Sequence, residues 1–161
     1  MRRSDREVSN QEEIIEIIDR CVICRVAMVD DGKPYLVPLN FGYMLDQGKL
    51  TLVFHSAKSG RKIDIFRKHP DVCFEMDCDH ALIDGERACD YSFAFSSVIG
   101  NGKVEFIEDE ALKLEALKLL MKRQTGKENF EFSPREVHGV CVFTIVSDDF
   151  SAKRKTTTAR P

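Results

Sequence analysis

The chain predicts a single α+β domain, and three observations predict it. Asp31-Gly32 and Asp46-Gln47-Gly48 each punctuate β-rich runs, which is where a hairpin needs residues that tolerate positive φ. Ile14, Ile15, Ile17 and Ile18 recur at helical spacing near the start, and a second amphipathic run carries Leu112, Leu114, Leu117, Leu119, Leu120 and Met121. Between them, Phe54-His55-Ser56-Ala57-Lys58-Ser59-Gly60-Arg61-Lys62 joins an apolar strand to a helix through a small, basic turn.

The elements follow in order. Ser9-Asn10-Gln11-Glu12 reads as a capping box opening the first helix. Three strands are then expected in succession, around residues 26–30, 33–43 and 49–55. Pro38 lies inside the second; lacking an N–H, it marks an edge, a bulge or an opening in the ladder. Ser59 is expected to cap a helix that buries Ile63 and Phe66 and stops at His69-Pro70, since proline disfavours helical geometry in the residue before it. A strand is expected over 72–76, and a loop around Asp84-Gly85-Glu86. Residues 91–107 read as one long strand or a pair bent at Gly100 and Gly102, where glycine signals a bulge or a close backbone approach. A helix then runs from near Asp109 to just before Gly126, and 139–146 form the last strand, for six strands or so in all. The tail from about 151 is basic and Thr-rich, and is expected to fray unless it reaches a partner subunit.

Composition bounds the function. At 161 residues, 43% hydrophobic and 32% charged, with no repeat, linker or low-complexity block, residues 1–161 read as one soluble globular domain. The 24 basic residues are offset by 27 acidic ones, for a net charge of −3, so nothing points to nucleic acid. No apolar run approaches the ~20 residues of a membrane span. The charged start lacks a signal-peptide pattern, so no membrane association and a cytoplasmic location are expected.

Six cysteines are present. Cys21-Val22-Ile23-Cys24 has redox or metal spacing, and Cys73, Cys78, His80 and Cys89 could be further zinc ligands. The favoured expectation is no metal: an odd offset along a strand would send Cys21 and Cys24 to opposite faces. Cys73 and Cys141 sit in apolar runs where a thiol acts as a small hydrophobe, so mostly buried free thiols are expected.

The junction at 54–62 is the chemical centre of the sequence. Backbone N–H groups at a helix start have no intrahelical partner, and the helix dipole there favours an anion. Arg61 and Lys62 place two cations at the end where a cation is otherwise disfavoured, which suggests an anionic guest such as a phosphate. A merely solvated basic helix start is the competing reading, and for His55 it is a strand-end histidine bonded to backbone.

With Val37-Pro38-Leu39-Asn40-Phe41-Gly42-Tyr43, Phe54-His55-Ser56-Ala57, Gly60-Arg61-Lys62 and Ser97-Val98-Ile99-Gly100-Asn101-Gly102-Lys103-Val104 taken together, the chain resembles the FMN-binding split-barrel proteins related to pyridoxamine 5′-phosphate oxidase. Within them it is most similar to the 5-nitroimidazole antibiotic resistance family, and its start, Met1-Arg2-Arg3-Ser4-Asp5-Arg6-Glu7, is similar too. The least similar stretch is the insert at about 79–90. The resemblance implies an antiparallel, Greek-key-like split β-barrel with flanking helices. It also implies a homodimer that shares an FMN site between subunits. Val37, Pro38, Leu39, Asn40 and Phe41 would contact the flavin ring. His55, Ser56 and Ala57, with Arg61 and Lys62, would hold the ribityl phosphate. Ser97, Val98, Ile99 and Gly100 would line the site, and His55, at a position where the nitroimidazole group places a histidine, would be catalytic.

The function expected on that basis is a flavin-dependent reductase, with NADH or NADPH as a transient donor, since no dinucleotide-binding fingerprint is present. The acceptor would be a small nitroaromatic, nitroimidazole-like or quinone-like molecule. Two alternatives stand beside it. One is a flavin- or haem-binding module without turnover. The other is a pyridoxamine-phosphate oxidase proper, which would need basic residues for a second phosphate; Lys153, Arg154 and Lys155 are the only concentrated candidates.

Overall fold

The structure, a computed structural model, describes residues 3–157. The sequence similarity read at Met1 and Arg2, and the tail beyond 157, lie outside the described residues. After a 3-10 turn at Ser4–Arg6, the elements are β1 (Glu7–Val8), α1 (Gln11–Arg20), β2 (Cys24–Asp30), β3 (Lys33–Leu39), β4 (Gly42–Asp46), β5 (Lys49–Ser56) and α2 (Arg61–Lys68). They continue with β6 (Asp71–Ile83), β7 (Ser92–Ile107), α3 (Glu110–Thr125), α4 (Pro134–Gly139) and β8 (Cys141–Lys155).

All ladders are antiparallel, in the order β3-β2-β6-β7-β8-β5-β4, with β1 beside β8. β3 and β4 are consecutive in the chain yet stand at opposite ends of this path. Only Asn40 and Phe41 join them, and two residues span at most about 7 Å. The sheet therefore has to curl until its two edges meet without pairing, which makes it a split barrel.

Both hairpin signals form as read: Asp31 and Gly32 have φ of 49° and 78°, and Gln47 and Gly48 have 47° and 79°, the pair of positive φ values of a primed turn. Pro38 lies on the edge strand β3, where its missing N–H costs no ladder bond. The expected second strand, however, is two strands. It breaks at Asn40-Phe41 because the sheet edge changes there, and with β1 this brings the count to eight.

Local chemistry shifts other boundaries. The first helix is capped one residue later than expected, by Asn10 Oδ1 accepting from Glu13 N at 3.0 Å, and Ile14, Ile17 and Ile18 are buried while Ile15 is half-buried. α3 starts and ends as read, with Asp109 as N-cap and Gly126 in the left-handed conformation at its C-cap. The short α4, with a Ser133/Glu136 capping box, takes Gly139 out of the last strand. The tail does not fray: β8 continues to Lys155, paired with β7 and β1 of the same chain.

β6 and β7 are each longer than read and form one continuous pair reaching past a bulge between Cys78 and Ala81, where Asp79 has φ of 60°. Gly102 sits at a second register shift. At Gly100, a Cβ would stand 2.5 Å from the Phe74 ring and 2.6 Å from Phe150 Cβ, so the close approach read from its sequence is to the core.

The cysteine expectations need correction. Cys21 is the C-cap of α1, outside β2, so strand alternation does not separate it from Cys24, and both are buried. Burial and neighbouring acidic groups push the Cys21 thiol far above its ordinary range and Cys24 up to about 12. Cys73 and Cys89 are exposed, and Cys78 and Cys141 half-buried, because Cys73 alternates onto the outer face of β6.

The barrel interior is one core, with Phe54 stacked on Phe143 at 5.2 Å. A second, smaller core of Val53, Ala116, Leu117, Val137 and Val142 joins the outside of β5 and β8 to α3 and α4. Among the described residues no helix is long and apolar enough to cross a membrane.

Candidate functional site

β5 delivers His55 and Ser56 to the turn before α2. Alternation along β5 sends Phe54 and Ser56 inward and Val53 and His55 toward α3 and α4. Ser56 is buried and its Oγ makes no hydrogen bond. His55 faces a cavity of about 200 Å³ bounded by Leu117, Leu120, Met121, Phe132, Glu136 and Val140. Its Nδ1 is buried and has no partner. The other polar side chain on this cavity, Glu136, is tied to Ser133 N and Oγ at 2.7 Å, and the remaining walls are apolar.

The start of α2 is open. Its N-cap is Gly60, not Ser59, with φ of 130° and ψ of 163°. That conformation is essentially confined to glycine. No side chain caps the helix; Ile63 N donates to Gly60 O at 2.9 Å, which leaves the Arg61 and Lys62 N–H groups at the open end with the dipole behind them. Lys62 is half-buried and has no ion pair among the described residues. It lies near Cys141, which pairs with Ser56 across the ladder. Next to it, a cleft of about 270 Å³ holds Lys58, Arg67, Lys113, Glu108 and His138 and shares Val140 with the His55 cavity.

Arg61 behaves differently from its neighbour. Its Nε donates to Asp30 Oδ2 at 2.9 Å, and its guanidinium lies 4.1 Å above the Tyr35 ring. It therefore ties α2 to the β2–β3 hairpin, a tie between residues 31 positions apart that the sequence does not signal.

The segment Val37 to Phe41, expected to contact a flavin ring, is pinned from behind. Val37 and Leu39 turn partly inward, and Pro38 is exposed beside Arg25. Asn40 is half-buried in the corner. The Phe41 side chain is fully buried, so only its backbone is left to a ligand, and its carbonyl accepts from Gln124 Nε2 at 2.9 Å. Arg123 lies 5.1 Å and 5.3 Å from the Phe41 and Tyr43 rings and donates to the carbonyls of Ile18, Asp19 and Cys21. Neither Arg123 nor Gln124 is visible as a site residue in the sequence, because their partners lie 83 to 105 positions away.

On β7, Val98 and Gly100 point into the barrel, whereas Ser97 and Ile99 face out, with Ile99 exposed. Pro38 and Ile99 share the outer face, in the row Pro38-Arg25-Glu75-Ile99. Val29 and Leu36 are exposed on that same face. His55, Ser56 and Lys62 all lie around the end of β5, with His55 and Ser56 on its opposite faces, and Pro38 and Ile99 lie in a separate row. No cavity described within one subunit contains both groups.

Comparison with known proteins supplies the relatives. The family model for pyridoxamine 5′-phosphate oxidase matches residues 10–154. The crystal structure of a candidate 5-nitroimidazole antibiotic resistance protein from Bacteroides thetaiotaomicron is 35% identical, with 92% of this chain and 86% of that one covered and a TM-score of 0.80. A flavocytochrome from Azotobacter vinelandii (23% identity, 97% and 72% covered, TM-score 0.79) and an FAD- and haem-binding protein from Mycobacterium smegmatis (19%, 93% and 73%, TM-score 0.81) share the fold. No curated protein matches in sequence.

Proposed function

This chain belongs to the pyridoxamine 5′-phosphate oxidase family, and we propose that it is an FMN-binding homodimeric reductase of small nitroaromatic or quinone-like acceptors. The observation that carries the reading is the uncapped start of α2, with Lys62 in no ion pair among the described residues, and the buried, unpartnered Ser56 Oγ and His55 Nδ1 on the two faces of the strand end that leads into it. Lys62 and the first-turn N–H groups would hold the terminal phosphate. Arg61 would contribute only the guanidinium nitrogens left over from Asp30. A phosphate-terminated flavin fits this single basic end.

When bound, FMN supplies the two-electron chemistry, taking a hydride from NADH or NADPH and passing electrons to the acceptor. The protein's own contribution is position and a proton. His55 lies in an apolar cavity that keeps water scarce, and its imidazole would donate to a reduced acceptor; positioned acids contribute ~10²–10⁴-fold. Val29, Leu36 and Ile99 are exposed on the outer sheet face, and a two-fold dimer packed there would cover them, which is the arrangement we propose for a shared site.

The test is anaerobic. Purified protein is titrated with FMN, reduced with NADH or NADPH, and reoxidised with a 5-nitroimidazole while the flavin absorbance is followed. Bleaching and recovery are expected. Recovery that fails with nitro and quinone acceptors alike makes the protein a binding module, and a haem Soret band in place of flavin absorbance rejects the cofactor assignment. His55→Gln separates the roles of that residue: retained FMN affinity with a reoxidation rate lowered ~10²-fold or more is expected for the acid, and an unchanged rate leaves His55 as scaffold.

A further inference from the structure

At the opposite end of the barrel, between α1 and the tips of β6, β7 and β8, lies a second cavity of about 450 Å³. Glu16, Arg20, Asp79, Ser96, Arg154 and Lys155 border it. It shares no residue with the flavin site proposed above, so it stands or falls independently of that site. Ser96 and the Ser97 assigned to the flavin side project from opposite faces of β7.

Its polar groups are not closed upon one another. Ser96 is fully buried, and its Oγ completes no hydrogen bond. The hydroxyl lies beside Asp79 and, with Arg20, holds that carboxyl below its usual range. Arg20 donates to both Asp79 oxygens, at 2.9 and 3.0 Å, so that carboxylate is already ion-paired. Arg154 donates to Glu13 through Nη1 at 3.1 Å, and its Nη2 is 3.5 Å from Glu16 Oε2. Nε and Nη2 are nonetheless buried without a hydrogen bond. Lys155 contacts Ser92 Oγ.

The unspent groups are therefore N–H and O–H donors from a guanidinium and a buried hydroxyl, in a cavity bordered by Arg20, Arg154 and Lys155 and by two carboxylates, Asp79 paired with Arg20 and Glu16 paired, with Glu13 beside it, to Arg154. Buried donors left without acceptors are costly, and the edge of a guanidinium matches the paired oxygens of an oxyanion. We propose that this cavity binds a small molecule through a phosphate or carboxylate group, with Arg154 and Ser96 as the donors. Its volume leaves room for an organic body behind the anionic group.

The test uses the full chain as purified with its flavin, titrated calorimetrically with inorganic phosphate and, separately, with acetate. One oxyanion per chain is expected. Arg154→Gln should weaken it about tenfold or more, Ser96→Ala, which keeps the buried Cβ, by severalfold, and Lys118→Ala, on the exposed side of α3, not at all. Should Arg154→Gln fail to fold, Arg154→Lys keeps the charge, loses the fork, and should still weaken binding severalfold. Whichever of the two ions binds with this dependence identifies the head group. Binding of neither below 50 mM, on the order of the weakest affinity worth calling a site, or binding indifferent to Ser96 and Arg154, overturns the proposal.

Discussion

The start of α2 and the starts of the other three helices are built on opposite plans. Asn10, Asp109 and Ser133 each turn a side-chain oxygen onto the first turn of α1, α3 and α4. α2 has glycine there and no side-chain cap. Where a helix end serves only the fold, the chain closes its own donors, at a gain of ~1 kcal/mol per cap. At α2 the donors are left open, beside a lysine with no ion pair. The same contrast separates the two ends of the proposed flavin site: the corner at Asn40-Phe41 is held by Arg123 and Gln124, while the turn at residues 57–60 is left without a side-chain cap.

The sharpest way to break this contrast is to give α2 a cap. Gly60→Asp places a carboxylate where the phosphate is proposed to sit, and strains a φ that only glycine adopts, at ~1–3 kcal/mol. FMN affinity should fall more than ~100-fold, or about 2.7 kcal/mol, by fluorescence titration of the apoprotein. Retained affinity would show that the helix start is not the phosphate site.

Arg123→Ala tests the closed end. It uncaps the carbonyls at the C-terminus of α1 and removes the cation from the Phe41 and Tyr43 rings, so a loss of about 2 kcal/mol is expected. For a domain of this size that is ~4–8 °C in Tm by calorimetry. FMN and riboflavin should weaken together, since the corner positions the ring and not the phosphate.

Lys62→Ala should do the reverse. FMN should weaken ~10- to 150-fold, the worth of one charge-assisted bond at ~1.5–3 kcal/mol, while riboflavin is barely affected and thermal stability stays within ~0.5 kcal/mol. Equal weakening of the two ligands would remove Lys62 from the phosphate.

The smallest effect belongs to Asp79. Ser96 and Arg20 hold its folded pKa below the ordinary value of 3.8, so its contribution is present above that pH and is lost as pH falls through the lower, folded value. Asp79→Asn tolerates the left-handed φ. It should cost under ~1 kcal/mol at pH 7, because the pair with Arg20 is partly exposed, and the difference from wild type should vanish in urea melts near pH 2.

What the sequence determined by itself is local. The two hairpin turns follow from Asp31-Gly32 and Gln47-Gly48, the bounds of α3 from Asp109 and Gly126, and the strand-to-helix turn from its serines, glycine and lysines, while Pro38 offered an edge, a bulge or an opening and the sheet order made it an edge. Backbone conformation and the donors it leaves open are set by residues within a turn of one another, and the family resemblance rests on the same short stretches. The tertiary structure alone decided the rest. It split the second strand at Asn40-Phe41, because the two edges of the barrel have to meet there. It drew Arg61 away to Asp30 and Tyr35, turned His55 toward α3 and α4, and exposed Cys73. It also extended the basic tail into β8, carrying Arg154 to the buried hydroxyl of Ser96. Each of these depends on which distant segments curling the sheet brings together, and contact between residues tens of positions apart leaves no periodicity in the chain to read.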